Sequence, residues 1–260
     1  MIRFSANLGF LWTDLRLPDA IRAAGAAGFD AVECHMPYET EPAEIVDALN
    51  ETGLTMISLN TRLGGRPDDF GVAAIPGREA EARRLIEEAV AYAASIGCGL
   101  VHVLAGRTDG SADAQRVYES NLAHAATCAA DAGKQIIIEP LNSTVADYHL
   151  TRVVHAVNTV DAVGSDNLKI MIDCFHSRMM DGALDVVFDL AWPYLGHIQI
   201  SAYPDRGEPI GGEIDYHELL PALAARGWDG PFGAEYTPRS GVADGLGWLT
   251  YWHEQRRNDS

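Results

Sequence analysis

Two kinds of hydrophobic pattern alternate along the chain from one end to the other. Short runs of apolar and β-branched residues, such as the isoleucines of "QIIIEPLN" (135–142), are typical of strands buried on both faces. Longer Ala-rich runs between them have the periodicity of amphipathic helices. The predicted strands are Arg3–Asn7, Ala31–Cys34, Thr55–Leu59, Leu100–Leu104, Gln135–Glu139, Leu168–Asp173, His197–Ile200 and Phe232–Glu235. The predicted helices are Pro18–Ala27, Pro42–Thr52, Gly77–Ile96, Asp113–Ala132, Thr151–Val163, Ala183–Trp192, Tyr216–Ala225 and Gly241–His253.

Eight strand–helix units along 260 residues predict a single α/β domain over residues 1–260, a closed parallel (β/α)8 TIM barrel. A doubly wound open sheet is the alternative, but it usually has fewer strands and an early glycine-rich phosphate turn. The stretch "AGAAGFD" (24–30) follows a helix and precedes a strand, which is the reverse of a dinucleotide fingerprint. We therefore expect no nucleotide cofactor.

The net charge of the chain limits the classes of partner that it is expected to bind. Nineteen basic and 37 acidic side chains give a net charge of −18, which disfavours nucleic acids and anionic membranes. No apolar run is long enough for a transmembrane helix, and "MIRFSANLGFLW" fits a first core strand better than a signal peptide. The four cysteines form no C-x-x-C pair, so we expect reduced thiols and a cytoplasmic protein.

Four polar residues stand where successive predicted strands end: Glu139, Asp173, Gln199 (at or near the end of its strand) and Glu235. We call them the strand-end set. Their separations of 34, 26 and 36 residues each match about one strand–helix unit, so all four should meet at the barrel mouth. Three carboxylates and an amide oxygen suit Mg²⁺ or Mn²⁺, and a cation would relieve their mutual repulsion. The alternative for any single acid is a helix N-cap.

Further candidates surround this mouth. His176, three residues after Asp173, could bind a substrate oxygen or orient a carboxylate. The glycine-rich segment "YPDRGEPIGGEIDY" (203–216) contains Arg206 and Glu208. Arg206 could bind a substrate carboxylate through two hydrogen bonds. The alternative is a charge exposed to solvent in a loop.

The ends of the first strands offer Asn7 and Glu33, which are candidates for the far wall of the mouth or for helix caps. His197, two residues before Gln199, should lie deeper and serve as a hydrogen-bonding core residue. The long segment Asn60–Pro76 is expected to be a specificity loop on the catalytic face, with an irregular surface insertion as the alternative.

The motifs "RFSANLGFLW", "AIPGRE", "IIIEPLN", "NLKIMIDCFHSRMMDG", "GHIQISAYPDRGEPIGGEIDY" and "GAEYTP" resemble the hydroxypyruvate isomerase family. That family belongs to the xylose isomerase-like barrels, as do sugar epimerases and 2-oxo-tetronate isomerases. The resemblance implies a divalent metal on the strand-end set, with Glu139 and Glu235 as the acid/base pair. Gln199 stands where many related barrels have histidine. After the third strand, "LNTRLGGRPDDFG" departs from a family pattern similar to "NLPAGDW", although Asn60 matches and is a candidate substrate contact.

The resemblance implies an aldose–ketose type isomerase that converts hydroxypyruvate to tartronate semialdehyde (2-hydroxy-3-oxopropanoate) through an enediolate, by proton transfer between the two glutamates. Its partner would be a small hydroxy-keto acid or sugar. The alternatives are a 2-oxo-tetronate isomerase, a keto-sugar 3-epimerase, a metal-dependent AP endonuclease-like protein and a non-catalytic sugar binder. The aromatic tail "GWLTYWHEQ" (247–255) could close the barrel or support a homo-oligomer, a dimer or tetramer.

Overall fold

The computed structural model describes residues 1–258, and its strands form one parallel sheet. The eight strands of this part of the chain are β1 Phe4–Asn7, β2 Ala31–Glu33, β3 Ser58–Asn60, β4 Leu100–His102, β5 Gln135–Ile138, β6 Leu168–Asp173, β7 Leu195–Ile200 and β8 Phe232–Ala234. Their order in the sheet is β2-β1-β8-β7-β6-β5-β4-β3. The barrel closes between β2 and the segment that leads into β3. The N–H of Val32 donates to Thr55 O at 3.0 Å, and its carbonyl accepts from Ile57 N at 2.8 Å. The predicted TIM barrel is confirmed.

Helices alternate with these strands. They are α1 Leu17–Ala27, α2 Pro42–Thr52, α3 Glu79–Ser95, α4 Ala112–Asp131, α5 Val153–Val163, α6 Cys174–Met180, α7 Leu184–Ala191, α8 Tyr216–Ala225, α9 Val242–Gly245 and α10 Gly247–Asn258, with a 3₁₀ turn at Trp192–Tyr194. The sequence pattern did not predict α6, which starts directly after β6. Asp173 caps it, since its Oδ1 accepts from Phe175 N at 2.7 Å.

The strands bury both faces, as their composition predicted. Ile136, Ile137 and Ile138 of β5 are fully buried. Each buried isoleucine contributes about 1.5–3 kcal/mol of hydrophobic free energy. Successive side chains of a strand point to opposite faces, so His197 and Gln199 of β7 share one face. Both contact Glu33, which ends β2 on the far side of the barrel, so this face is the barrel interior.

The segment between β3 and α3, residues 61–78, is held in shape by a buried ion pair between two of its own residues. Arg78 Nη1 and Nη2 donate to the Asp69 carboxylate at 2.5 and 2.7 Å, and both side chains are less than 9% exposed. Arg78 also donates to Glu81 in the first turn of α3. The segment therefore forms a fixed wall, and its Leu63 and Phe70 face the mouth.

Replacing Arg78 by methionine should lower the free energy of unfolding by about 3–5 kcal/mol, because the buried Asp69 charge loses its partner. Arg84→Met is the matched control, since its ion pair with Glu88 is exposed and should contribute at most about 1 kcal/mol. Urea unfolding of both variants measures the difference. Equal stabilities of the two variants would contradict this account of the wall.

Candidate active site

The strand-end set meets at the carboxyl ends of the barrel strands, and all four side chains are buried. Asp173 ends β6 and Gln199 lies in β7, while Glu139 and Glu235 directly follow the last residues of β5 and β8. Gln199 Nε2 donates to Glu235 Oε2 at 2.7 Å. Asn7, at the end of β1, donates to the same oxygen at 2.5 Å. Parallel strands that end at the same edge thus bring together residues up to 228 positions apart.

The guanidinium of Arg206 is the positive charge among these carboxylates. Its Nη2 lies 3.2 Å from Asp173 Oδ2 and 2.5 Å from Glu235 Oε1. The guanidinium carbon lies 4.7 Å from the centre of the Phe10 ring and 5.3 Å from that of Phe175. Such cation–π contacts leave the polar edge of the guanidinium free to meet anions.

Two buried oxygens of the strand-end set have no hydrogen-bond partner among residues 1–258. They are Glu139 Oε1 and Gln199 Oε1. The Gln199 amide nitrogen donates to carboxylates of Glu235 and Glu33, so its oxygen is the atom left over. An unpaired buried oxygen costs free energy unless a donor or a cation satisfies it. The donor chemistry of the set therefore fits a hard divalent cation.

The two glutamates have opposite electrostatic environments. Burial raises the pKa of Glu139 well above its ordinary value, and the charges of Glu235 and Asp173 raise it further. Burial also opposes ionisation of Glu235, but the nearby His35 imidazole and the Arg206 guanidinium lower its pKa to about 2. Without a cation, these surroundings therefore favour the protonated form of Glu139 and the ionised form of Glu235.

His176 faces the same group as a hydrogen-bond donor. The backbone N–H of Asn142 donates to its Nδ1 at 3.1 Å, which places the ring hydrogen on Nε2. That Nε2 lies 3.6 Å from Asp173 Oδ2 and 3.9 Å from Glu139 Oε1. Burial lowers the pKa of His176, so the ring is neutral and donates one hydrogen toward the mouth. This tautomer suits contact with a substrate oxygen, since a metal would need the Nε2 lone pair.

A cavity of about 250 Å³ opens over these groups. Its lining includes Asn7, Phe10, His35, Asn60, Leu63, Phe70, His102, Glu139, Leu141, Val145, His176, Gln199, Arg206 and Glu235. Glu208 is not among the described lining residues, because its carboxylate is turned toward Arg239. The cavity therefore has a polar floor and a partly apolar outer wall.

Sequence reasoning missed two histidines of the cavity. His102 ends β4, with its Nδ1 3.8 Å from Glu139 Oε2, and burial lowers its pKa to about 3. His35 follows β2 and faces Glu235. Both occupy strand-end positions in "LVH" and "VECH", a signal that could have found them. His197 lies deeper, as expected, with its Nε2 2.8 Å from Glu33 Oε2.

Comparison with known proteins identifies the family. The xylose isomerase-like TIM barrel model matches residues 21–252. A 2-oxo-tetronate isomerase from Cupriavidus necator is 40% identical over 96% of this chain and 98% of its own. A human protein named "Putative hydroxypyruvate isomerase" is 38% identical, with 96% and 95% covered. A crystal structure described as AP endonuclease, family 2, from Brucella melitensis superposes with a TM-score of 0.93 at 32% identity, covering 97% of this chain and 99% of the other.

The chain therefore belongs to the xylose isomerase-like TIM barrel family. Because relatives of 38% and 40% identity carry isomerase names over nearly the whole chain, it is an enzyme of the isomerase class. Among residues 1–258, no helix has both the length and the hydropathy needed to cross a bilayer.

The raised pKa of Glu139 predicts that Mn²⁺ binding releases protons, because a carboxylate must ionise to bind a cation. Apparent Mn²⁺ affinity should then rise with pH until Glu139 is ionised in the metal-free protein. Calorimetry in buffers of different ionisation enthalpy measures the protons released. Glu139→Gln should release fewer protons than the wild type. A binding enthalpy that does not depend on the buffer would contradict this prediction.

Proposed function

We propose that the protein is a divalent-metal-dependent isomerase that interconverts hydroxypyruvate and tartronate semialdehyde. The observation that carries the proposal is the meeting of the buried strand-end set at one mouth, where the Arg206 guanidinium contacts Asp173 and Glu235. The isomerase names of the full-length relatives support it independently. Mg²⁺ or Mn²⁺ would be held by Glu139, Asp173, Gln199 and Glu235.

The reaction moves the carbonyl group of hydroxypyruvate from C2 to C3. A base removes a proton from C3, the electrons pass into an enediolate, and an acid delivers a proton to C2. Oxygen O3 also loses its proton and O2 gains one, so the atoms balance. When bound, the metal acts as a Lewis acid that polarises the carbonyl and hydroxyl oxygens.

Glu139 and Glu235 are the groups proposed to exchange protons with the two carbons. Their environments push their pKa values in opposite directions, a pattern expected of an acid and a base that act in one site. Asn7 and Gln199 both donate to Glu235 Oε2 and fix the orientation of this carboxylate. Orientation of this kind keeps a proton-transfer group within reach of its carbon.

Arg206 is the proposed anchor of the substrate carboxylate. It contacts Asp173 and Glu235, which also belong to the proposed cation site, so binding of a cation there would leave the guanidinium available to another anion. His176 Nε2 lies 3.3 Å from Arg206 Nη2. The hydrogen on His176 Nε2 can therefore reach an oxygen of the substrate that Arg206 binds. Together they offer donors to a bound 2-oxo acid.

Replacing Glu139 or Glu235 by glutamine should lower kcat for hydroxypyruvate by about 10²–10⁴-fold, because general acid–base catalysis is lost. Exchange of substrate hydrogen with solvent deuterium, followed by NMR, reports the proton transfer directly. Glu254→Gln is the matched control, because Glu254 is exposed on α10. Near-normal turnover in either Glu139→Gln or Glu235→Gln would remove that glutamate from the proposed pair, provided that circular dichroism shows a folded barrel.

The second candidate reaction is isomerisation of 2-oxo-tetronate, which the 40% identical Cupriavidus relative favours. This substrate has the same 2-oxo acid end as hydroxypyruvate and one more hydroxymethylene group. The same residues would act on it, and the wall formed by residues 61–78 would decide how the longer chain fits. The substrate of a keto-sugar 3-epimerase has no carboxylate that Arg206 could bind. An endonuclease needs a surface that attracts DNA, which a net charge of −18 opposes.

With Mn²⁺ present, kcat/KM should be at least about tenfold higher for hydroxypyruvate or 2-oxo-tetronate than for an uncharged ketose, since Arg206 would form charge-assisted hydrogen bonds only with the acids. Initial rates over a panel of both acids, D-psicose and an abasic DNA duplex measure this preference. Arg206→Met should reduce the preference for acids. Faster turnover of the ketose, or cleavage of the duplex, would overturn the proposed reaction.

A further inference from the structure

A compact ion cluster lies behind Arg206, on the side away from the cavity. In the sequence "DRGE" (205–208), the two acids flank Arg206 and Gly207. Arg239, in the loop after β8, donates to Asp205 from Nε at 2.8 Å and from Nη2 at 3.0 Å. Its Nη1 donates to Glu208 Oε2 at 2.7 Å, and its backbone N–H donates to Glu208 Oε1 at 3.0 Å. We call Asp205, Glu208 and Arg239 the rear clamp.

The backbone at Arg206 explains why such a clamp is needed. Its φ angle is +55°, in the left-handed region that is unfavourable for a residue with a side chain. Arg206 N donates to Ala202 O at 2.9 Å, and Thr237 N donates to Arg206 O at 2.8 Å. Surrounding contacts must hold this conformation, because the residue alone does not prefer it.

Gly207 lets the clamp approach closely. A Cβ atom at this position would lie 2.4 Å from the Arg239 guanidinium carbon, so a side chain here would displace that guanidinium. The Arg239 guanidinium therefore packs directly against the backbone that follows Arg206. Asp205 and Glu208 point toward Arg239, while the Arg206 side chain between them reaches Asp173 and Glu235 in the cavity.

The clamp also joins two loops that carry the site. Residues 201–215 follow β7 and contain Arg206, and residues 235–241 follow β8 and contain Glu235 and Arg239. Glu208 is buried, and both of its carboxylate oxygens accept hydrogen bonds from Arg239. Glu208, predicted as a substrate contact, thus faces Arg239 in this structure.

We infer that Arg239 is a positioning residue that, through Asp205 and Glu208, holds Arg206 in the orientation in which it receives an anionic substrate. The inference rests on the proposed function only in taking Arg206 as the carboxylate anchor. An arginine suits the task because its planar fork satisfies two carboxylates at once, which a lysine ammonium does with poorer geometry.

The test is a double-mutant cycle on the Mn²⁺-loaded protein. Arg239→Met should raise KM for hydroxypyruvate by about tenfold and change kcat much less, since the anchor is displaced and the glutamates are not. Mn²⁺ affinity should stay near the wild-type value. Arg239→Lys should recover part of the loss. Arg226→Met is the matched control, because that arginine is similarly exposed, pairs with Asp189 and lies away from the mouth.

If Arg239 acts through Arg206, the double variant Arg206→Met/Arg239→Met binds hydroxypyruvate no more weakly than Arg206→Met alone. Effects that simply add in the double variant, or an unchanged KM in Arg239→Met, overturn the inference.

Hydrogen exchange separates this inference from the proposed reaction. Arg239→Met should speed amide exchange in residues 202–208 and leave β5 unchanged, whether or not hydroxypyruvate is the substrate. If the wild type does not turn over hydroxypyruvate, the proposed function fails and the exchange data still test the clamp. Unchanged exchange in residues 202–208 overturns the inference in either case.

Discussion

The burial of three carboxylates in one narrow mouth is the constraint on which the site depends. Glu139, Asp173 and Glu235 are each at most 7% exposed, and isolated charges in such a place would cost several kcal/mol each. The structure reduces this cost in distinct ways. Arg206 supplies a positive charge, amide and backbone groups donate hydrogen bonds, and the raised pKa of Glu139 favours its neutral form. A divalent cation would act on all three carboxylates at once, which is why their arrangement favours a metal.

The ends of the barrel strands bring the three carboxylates together. The loops around the mouth determine which molecules can contact these carboxylates. Two arginines outside the cavity hold loops at the mouth through pairs of acids. Arg78 fixes the wall of residues 61–78, and Arg239 holds the turn that carries Arg206. In both places the forked guanidinium binds a carboxylate through two nitrogens, which fixes direction as well as distance. Specificity would therefore be built into ion pairs that never touch the substrate.

Much of this architecture was predictable because barrel strands follow a regular rule. Doubly buried runs such as Gln135–Ile138 indicate parallel strands, and polar residues at their ends must meet at one edge. From that rule the sequence predicted that four residues meet at one mouth, and the structure places all four there: Glu139, Asp173, Gln199 and Glu235. The rule also held for Asn7 and Asn60, which both line the cavity.

The remainder was not predictable, since loop side chains follow no period. Arg206 and Glu208 are two residues apart in one glycine-rich loop. The Glu208 side chain nevertheless faces Arg239, whereas the Arg206 side chain faces the cavity. The left-handed backbone at Arg206 causes this divergence, and sequence patterns do not reveal it. Helix α6 was missed because its seven residues follow β6 without a turn.

The most direct measurement for the central claim is a crystal structure of the Mn²⁺-loaded protein with anomalous scattering at the manganese edge. The account predicts one strong peak within about 2.0–2.3 Å of oxygens from Glu139, Asp173, Gln199 and Glu235. Arg206 should then have moved off at least one of its two carboxylates. A peak elsewhere, for example at the half-exposed group of Glu87, His124 and Cys128, with none at the strand-end set, would contradict it.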